Sequence, residues 1–221
     1  MAKGLFNSSI GRKFAMALSA FFLLIFLLQH FLINMLSVFS EELFNSVSHF
    51  MGTNPFIQFA MQPILIAGIV LHFVLGFILE LQNKKARPIA YAKSNPSHNS
   101  TWMSRNMIWS GLVILAFLGL HFYDFWLPEI THKYVNALPA DETRYFGELA
   151  EKFHNPVRVG LYVVAFVLLM MHLLHGFQSA FQSMGANHRK YNGLIKGFGK
   201  VYAIVIPLGF IFIAVYHFLN Q

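Results

Sequence analysis

The chain has 221 residues, of which 56% are hydrophobic and only 11% charged, with a mean hydropathy of +0.54 and a formal charge of +7. A soluble domain carries about 25% charged residues, so a soluble fold is excluded; the basic residues flank apolar runs, which marks membrane topology rather than a nucleic-acid surface. Cysteine is absent, which excludes disulfides, thiolate-held iron–sulfur clusters and covalent haem attachment through C-x-x-C-H.

Five apolar runs predict an all-α integral membrane bundle forming one domain over residues 1–221. Span one covers about 14–40, carries no charge and holds His30 late in its length. It is too long for a signal-peptide core and is read as a membrane helix. The loop after it contains Glu41 and Glu42. Span two covers about 55–79, with Pro63 inside it, His72 near its inner end and Glu80, Lys84, Lys85 and Arg87 beyond. Membrane helices tolerate an interior proline. A polar, basic loop follows, with Pro88, Pro96 and Lys93.

Span three covers about 106–126, with His121 late in it. Trp102, Trp109, Tyr123 and Trp126 stand near its ends, where amphipathic rings anchor at the interface. The next loop is acidic (Glu129, Asp141, Glu142, Glu148, Glu151), and Asp141 to Phe153 is a candidate surface helix. Span four covers about 157–183 and holds His172 and His175. Span five covers about 201–218 and has no interior histidine, so packing is its expected role.

Charge sets the expected orientation. Lys3, Arg12, Lys13, Lys84, Lys85, Arg87, Lys93, Arg105, Arg189, Lys190, Lys196 and Lys200 fall on one side. Only Lys133, Arg144, Lys152 and Arg158 fall on the other. Positive loops stay inside, so the N-terminus is expected in the cytoplasm and the C-terminus outside.

Ionisable groups inside a membrane are costly and mark function. His49, His98, His132, His154, His188 and His217 lie in loops or at a helix end and read as solvated or interfacial. His30, His72, His121 and His172 lie inside four different spans. At 1.5 Å per residue, measured from the cytoplasmic end, His30 and His121 lie about 24 and 22 Å deep, and His72 and His172 about 10 and 16 Å. Two levels of two histidines suit two stacked six-coordinate b-type haems, one imidazole per axial position. Zinc would need three or four ligands converging on one point. The segments His72-Phe-Val-Leu-Gly76-Phe77 and His172-Leu-Leu-His-Gly176-Phe177 repeat one pattern. Its glycine, on the histidine's face, leaves a flat gap beside the ring. That shared spacing favours His172 over His175 as inner ligand, with His175 beside it or as the alternative.

Three stretches resemble the di-haem cytochrome b membrane anchor of succinate dehydrogenase and fumarate reductase: Leu28-Gln29-His30-Phe31-Leu32-Ile33-Asn34, Phe44-Asn45-Ser46-Val47-Ser48-His49-Phe50-Met51 and Gly176-Phe177-Gln178-Ser179-Ala180-Phe181. The order of spans and histidines is similar too. The resemblance implies two haem b on His30 and His121 (outer) and His72 and His172 (inner). It implies an iron–sulfur subunit and a flavoprotein subunit as partners, and a quinone (menaquinone or ubiquinone) as substrate, in the inner membrane. Some relatives carry a basic residue late in helix four, where this chain has Gln182 and Ser183. Asn34, Glu41, Glu42 and Asp124 are the quinone-site candidates, set against the plainer reading of the carboxylates as solvated loop groups. Two other readings stand beside this one. One is a haem b anchor of a hydrogenase or formate dehydrogenase; the other is a transporter or structural membrane protein with packing histidines.

Overall fold

The computed structural model describes residues 8–85, 106–186 and 188–220, and among them there is no strand. In chain order the helices are α1 (Ser9–Phe39), α2 (Glu41–Thr53), α3 (Ile57–Lys85), α4 (Met107–Val135), α5 (Arg144–Phe153), α6 (Pro156–Ser183) and α7 (Asn192–Leu219). Among the described residues, α1, α3, α4, α6 and α7 are long and apolar enough to cross a membrane. The chain is a multi-pass membrane protein. Lys3, Arg87, Lys93 and Arg105, with Pro88, Pro96, His98 and Trp102, lie outside the described residues.

Local chemistry starts and stops these helices. Ser8 caps α1, its hydroxyl accepting from Gly11 N at 2.9 Å. Ser40 ends α1 and caps α2, accepting from Leu43 N at 3.1 Å. Asn155 caps α6 by accepting from Val157 N and Arg158 N at 2.9 and 3.1 Å, with Pro156 at the first helical position. Such caps satisfy amide donors that the first turn leaves orphaned. Gly185, at φ +81°, turns the chain out of α6, a conformation in which a Cβ is penalised.

The boundaries differ from the sequence expectation: α1 starts at Ser9, α3 runs on to Lys85 and α7 starts at Asn192, and three further differences bear on the site. The stretch after span one is the helix α2, not a loop. α5 starts at Arg144 rather than Asp141. Span three does not stop at Trp126 but runs on to Val135. A π-helical turn over Phe122–Trp126 precedes Pro128, and another over Ile57–Met61 precedes Pro63. Proline lacks an N–H and clashes with the carbonyl four residues back. A wider turn just before it lets the helix continue.

The tightest packing joins α6 to α7. Tyr162, Phe166, Phe177, Tyr202 and Phe210 form an aromatic seam there, with Phe166 and Phe210 stacked at 5.1 Å. Lipid offers no hydrophobic drive between helices, so association depends on close packing and on small residues. Gly209 lets α7 approach Phe31 of α1, and a Cβ there would strike that ring. The Tyr202 hydroxyl donates to the Leu24 carbonyl and pins α7 to α1. Span five therefore packs the bundle.

α2 and α5 cover one end of it. Asn45 is buried; its amide donates to Thr143 O at 3.1 Å and its oxygen accepts from Phe146 N at 2.7 Å. Asn45 thus caps α5 from another helix, because Thr143 makes no side-chain cap. The sequence reads His217, at a helix end, as solvated or interfacial. It is buried instead, 2.9 Å from Ser37 Oγ and packed edge-on against Phe146.

Candidate functional site

The structure gathers four interior histidines into two pairs. His30 of α1 and His121 of α4 face one another with ring centroids 5.7 Å apart and planes at 87°. His72 of α3 and His172 of α6 face one another at 6.4 Å and 65°. It is His172, not the half-buried His175, that meets His72. The ring contact brings His72 and His172 to one level, where the sequence-based depths leave them unequal. Among the described residues no three of His, Asp and Glu converge on one point; the donor sets are pairs.

The two pairs have different surroundings. At the inner pair, Ser19 Oγ lies 3.1 Å from His72 Nδ1, and Ser110 Oγ lies 3.1 Å from His172 Nδ1. A Cβ on Gly76 would meet Met16 Cε at 3.6 Å, and one on Gly176 would meet Met107 Cε at 3.2 Å. Gly111 leaves His172 Cε1 free on another side, 3.8 Å from a Cβ placed there. The outer pair is braced by rings. Phe26 stacks on His30 at 5.4 Å and Phe117 on His121 at 5.9 Å, while Phe210 reaches His30 at 5.7 Å. Asn34 donates to His30 O at 2.8 Å and lies 3.5 Å from His30 Nδ1. His121 Nδ1 is buried with no hydrogen-bond partner.

Asp124 is not a solvated loop group. It is 2% exposed, accepts from Tyr162 OH at 2.9 Å on Oδ2, and has Arg158 Nη2 3.1 Å from Oδ1. The Arg158 contact is off-line for a hydrogen bond, so Oδ1 has a charge partner but no aligned donor. Tyr162 also stands 6.3 Å from the His121 ring. Burial follows from α6, whose Tyr162 and Arg158 cover Asp124 well before the end of α4 at Val135. Glu41 and Glu42 form the exposed first turn of α2, where carboxylates oppose the helix dipole favourably. Tyr123 is 64% exposed, consistent with interfacial anchoring.

The chain is similar to the succinate dehydrogenase cytochrome b558 subunit of Bacillus subtilis (strain 168). The two are 26% identical over 161 residues, covering 70% of this chain and 69% of that protein. The relationship supports the succinate dehydrogenase cytochrome b anchor family. No family model matches the chain, and no solved structure matches it. For such an anchor the two histidine levels are the features to explain, since they lie inside the spans where polar groups are costly.

A second polar cluster joins the cap helices to α4. Glu129 pairs with Lys133 and with Arg144, and Arg144 Nη1 also lies 2.8 Å from Glu148 Oε1. Burial alone would lower the Arg144 guanidinium, but hydrogen bonds to Glu129 and Glu148 hold it above its ordinary value. The Thr143 amide and hydroxyl, both 2.8 Å from Asp141 Oδ1, hold that carboxyl below its usual range. Ser19, Ser110, Arg158 and Tyr162 are the polar partners that reading the sequence missed. A serine in a membrane helix is ordinary, and only its interval to a histidine distinguishes it.

Proposed function

We propose that this chain is the di-haem b membrane anchor of a succinate dehydrogenase or fumarate reductase. His30 and His121 would hold the outer haem, and His72 and His172 the inner one. The observation that carries this reading is the pairing of four histidines from four helices at two levels. Each pair, with ring centroids 5.7 and 6.4 Å apart, would hold one haem through its two imidazoles. Gly111 and Gly176 flank His172, 3.8 and 4.0 Å from a Cβ placed at each, while Met16 and Met107 cover Gly76 and Gly176. When bound, the haems supply one-electron transfer across a hydrocarbon layer about 30 Å thick. The protein's part is to orient the rings, exclude water and tune their basicity.

The relative's name points to a succinate dehydrogenase complex, in which succinate is oxidised. A flavoprotein subunit and an iron–sulfur subunit supply that chemistry in this reading. They dock on the cytoplasmic side, where the basic segments around Lys13, Lys84 and Arg189 lie, in the cytoplasmic (inner) membrane. The N-terminus is on that side. Quinone reacts near the outer pair, with Asn34 one turn beyond His30 and Asp124 one turn beyond His121. Asp124 acts there through its Tyr162 and Arg158 contacts, while Glu41 and Glu42 remain in solvent reach.

Pyridine haemochrome analysis of the purified chain tests the reading; the expected value is about two haem b per chain, one per histidine pair. A ratio near zero or one overturns it. His172→Ala is expected to abolish the inner haem signal while His175→Ala keeps it, and the reverse pattern exchanges the two roles.

A further inference from the structure

Helices α1 and α4 carry the same residues at the same intervals: Met16, Ser19, Phe26 and His30 on α1, Met107, Ser110, Phe117 and His121 on α4. Their contacts repeat as well. Each methionine carbonyl accepts from the serine three residues on, Ser19 Oγ to Met16 O at 2.8 Å and Ser110 Oγ to Met107 O at 2.9 Å. Each methionine methyl lies over the glycine that follows an inner histidine, Met16 over Gly76 and Met107 over Gly176. Each phenylalanine stacks on the outer histidine of its own helix. The interval from serine to outer histidine is eleven residues, about three turns and about 16 Å of rise. Serine and histidine therefore share one helix face. One helix thus provides a ligand-type ring at the outer level and a hydroxyl at the inner level, twice over.

The hydroxyl's role follows from proton counting. A serine has one O–H donor. Both Ser19 and Ser110 spend it on a backbone carbonyl, so each oxygen is left as an acceptor towards the neighbouring ring. At 3.1 Å the matching arrangement is a ring nitrogen that donates. An Nδ1–H tautomer of His72 and of His172 would provide it and leave each Nε2 lone pair available. The outer rings have no such acceptor: His121 Nδ1 lacks a partner, and His30 Nδ1 is faced only by an amide donor at 3.5 Å.

We infer that Ser19 and Ser110 are positioning residues of the inner level: each fixes the tautomer and the ring rotation of one inner histidine, so that both Nε2 lone pairs are available to one metal between them. The assignment of a haem to that level rests on the function proposed above; the tautomer does not. An N–H held by an acceptor makes its imidazole a stronger donor to a metal, and loss of such a partner typically weakens metal retention by about 10–100-fold. Each serine serves a different ring, so the two substitutions act on the same level through opposite sides.

The test uses the full chain and its Ser19→Ala, Ser110→Ala, Ser19→Thr and Ser110→Thr variants. In chain prepared without haem, 15N NMR of labelled histidine is expected to show two Nδ1–H tautomers that each alanine variant reduces by one. In haem-loaded chain, transfer to apomyoglobin is expected to remove one haem about 10–100-fold faster in either alanine variant. The midpoint potential of that haem shifts upward while the other stays, and threonine restores both. The affected component is identified by its absence in His72→Ala. Unchanged inner tautomers, equal shifts of both haems, faster loss of the outer haem, or loss of both haems that threonine does not restore overturns the inference. A wild-type chain that binds no haem yet shows the two tautomers overturns the proposed function alone.

Discussion

Arg158→Leu should be among the most damaging single substitutions at the outer end of the bundle. The Asp124 side chain is fully buried, and its charge partner Arg158 Nη2 lies 3.1 Å away with the Arg158 side chain 27% exposed. Removing one partner of a buried pair leaves an uncompensated charge and costs about 3–5 kcal/mol. Arg158 keeps some contact with solvent and Tyr162 still donates to Oδ2 at 2.9 Å, so the lower end, about 3 kcal/mol, is expected. Tyr162→Phe removes a hydrogen bond to a charged group and should cost about 1.5–3 kcal/mol. Asp124→Asn combined with Arg158→Leu removes both charges together, and should be at least about 1 kcal/mol less damaging than Arg158→Leu alone. Equilibrium unfolding in dodecylmaltoside–dodecyl sulfate micelles, followed by loss of helix signal, measures all three. If Arg158→Leu costs less than about 1 kcal/mol, or the double variant is the worse of the two, Asp124 is not a buried charge held by Arg158.

Gly209→Ala puts a methyl against the Phe31 ring and should destabilise by about 1–3 kcal/mol through overpacking. Gly160→Ala, which meets nothing within 4 Å, should stabilise by up to about 1 kcal/mol; equal effects in the same unfolding assay would reject the α1–α7 approach. Asn45→Ala strips the cap from α5 and should cost about 1–3 kcal/mol. Limited proteolysis should then cut near Asp141 faster than in the parent, and an unchanged cleavage rate would deny Asn45 that role. Lys85→Cys and Glu142→Cys should react with a membrane-impermeant maleimide from opposite sides of sealed vesicles, and labelling from one side would reject the five-span topology.

The spans were legible because runs without charge are long, and four histidines stood out because, His175 aside, no other charged or imidazole group lies so far inside those runs. Depth alone matches His30 with His121 but leaves His72 and His172 unequal; their ring contact comes from the fold. What escaped depended on contacts far apart in sequence or on local helix irregularity. α2 has mixed composition, so its only signal was Ser40 followed by Glu41 and Glu42, a capped and acidic first turn. The extension of α4 was hidden by Pro128, which reads as a stop unless a π-helical turn precedes it. Asp124 reads as a solvated group because it lies two residues from the expected span end, and its covers, Tyr162 and Arg158, come from α6. His217 looked terminal because its covers, Ser37 and Phe146, come from α1 and α5.

The two levels orient their rings by different means, and this yields a prediction that separates them. The inner rings are held by hydroxyls at 3.1 Å. The outer rings lack that contact and are clamped by stacked phenylalanines, Phe26 at 18° to His30 and Phe117 at 29° to His121. Both phenylalanines sit one turn before their histidine, so each pair shares a helix face. An aromatic pair is worth about 0.5–1.5 kcal/mol beyond the area it buries. Leucine at either position keeps most of the volume and loses the stacking. On the di-haem reading proposed above, Phe26→Leu and Phe117→Leu should therefore speed loss of the outer haem to apomyoglobin by roughly 2- to 12-fold, from that energy at 1.4 kcal/mol per tenfold. The inner haem should be lost at the parent rate, because its rings keep their serines. If both haems leave faster by the same factor, the phenylalanines brace the whole bundle rather than one level.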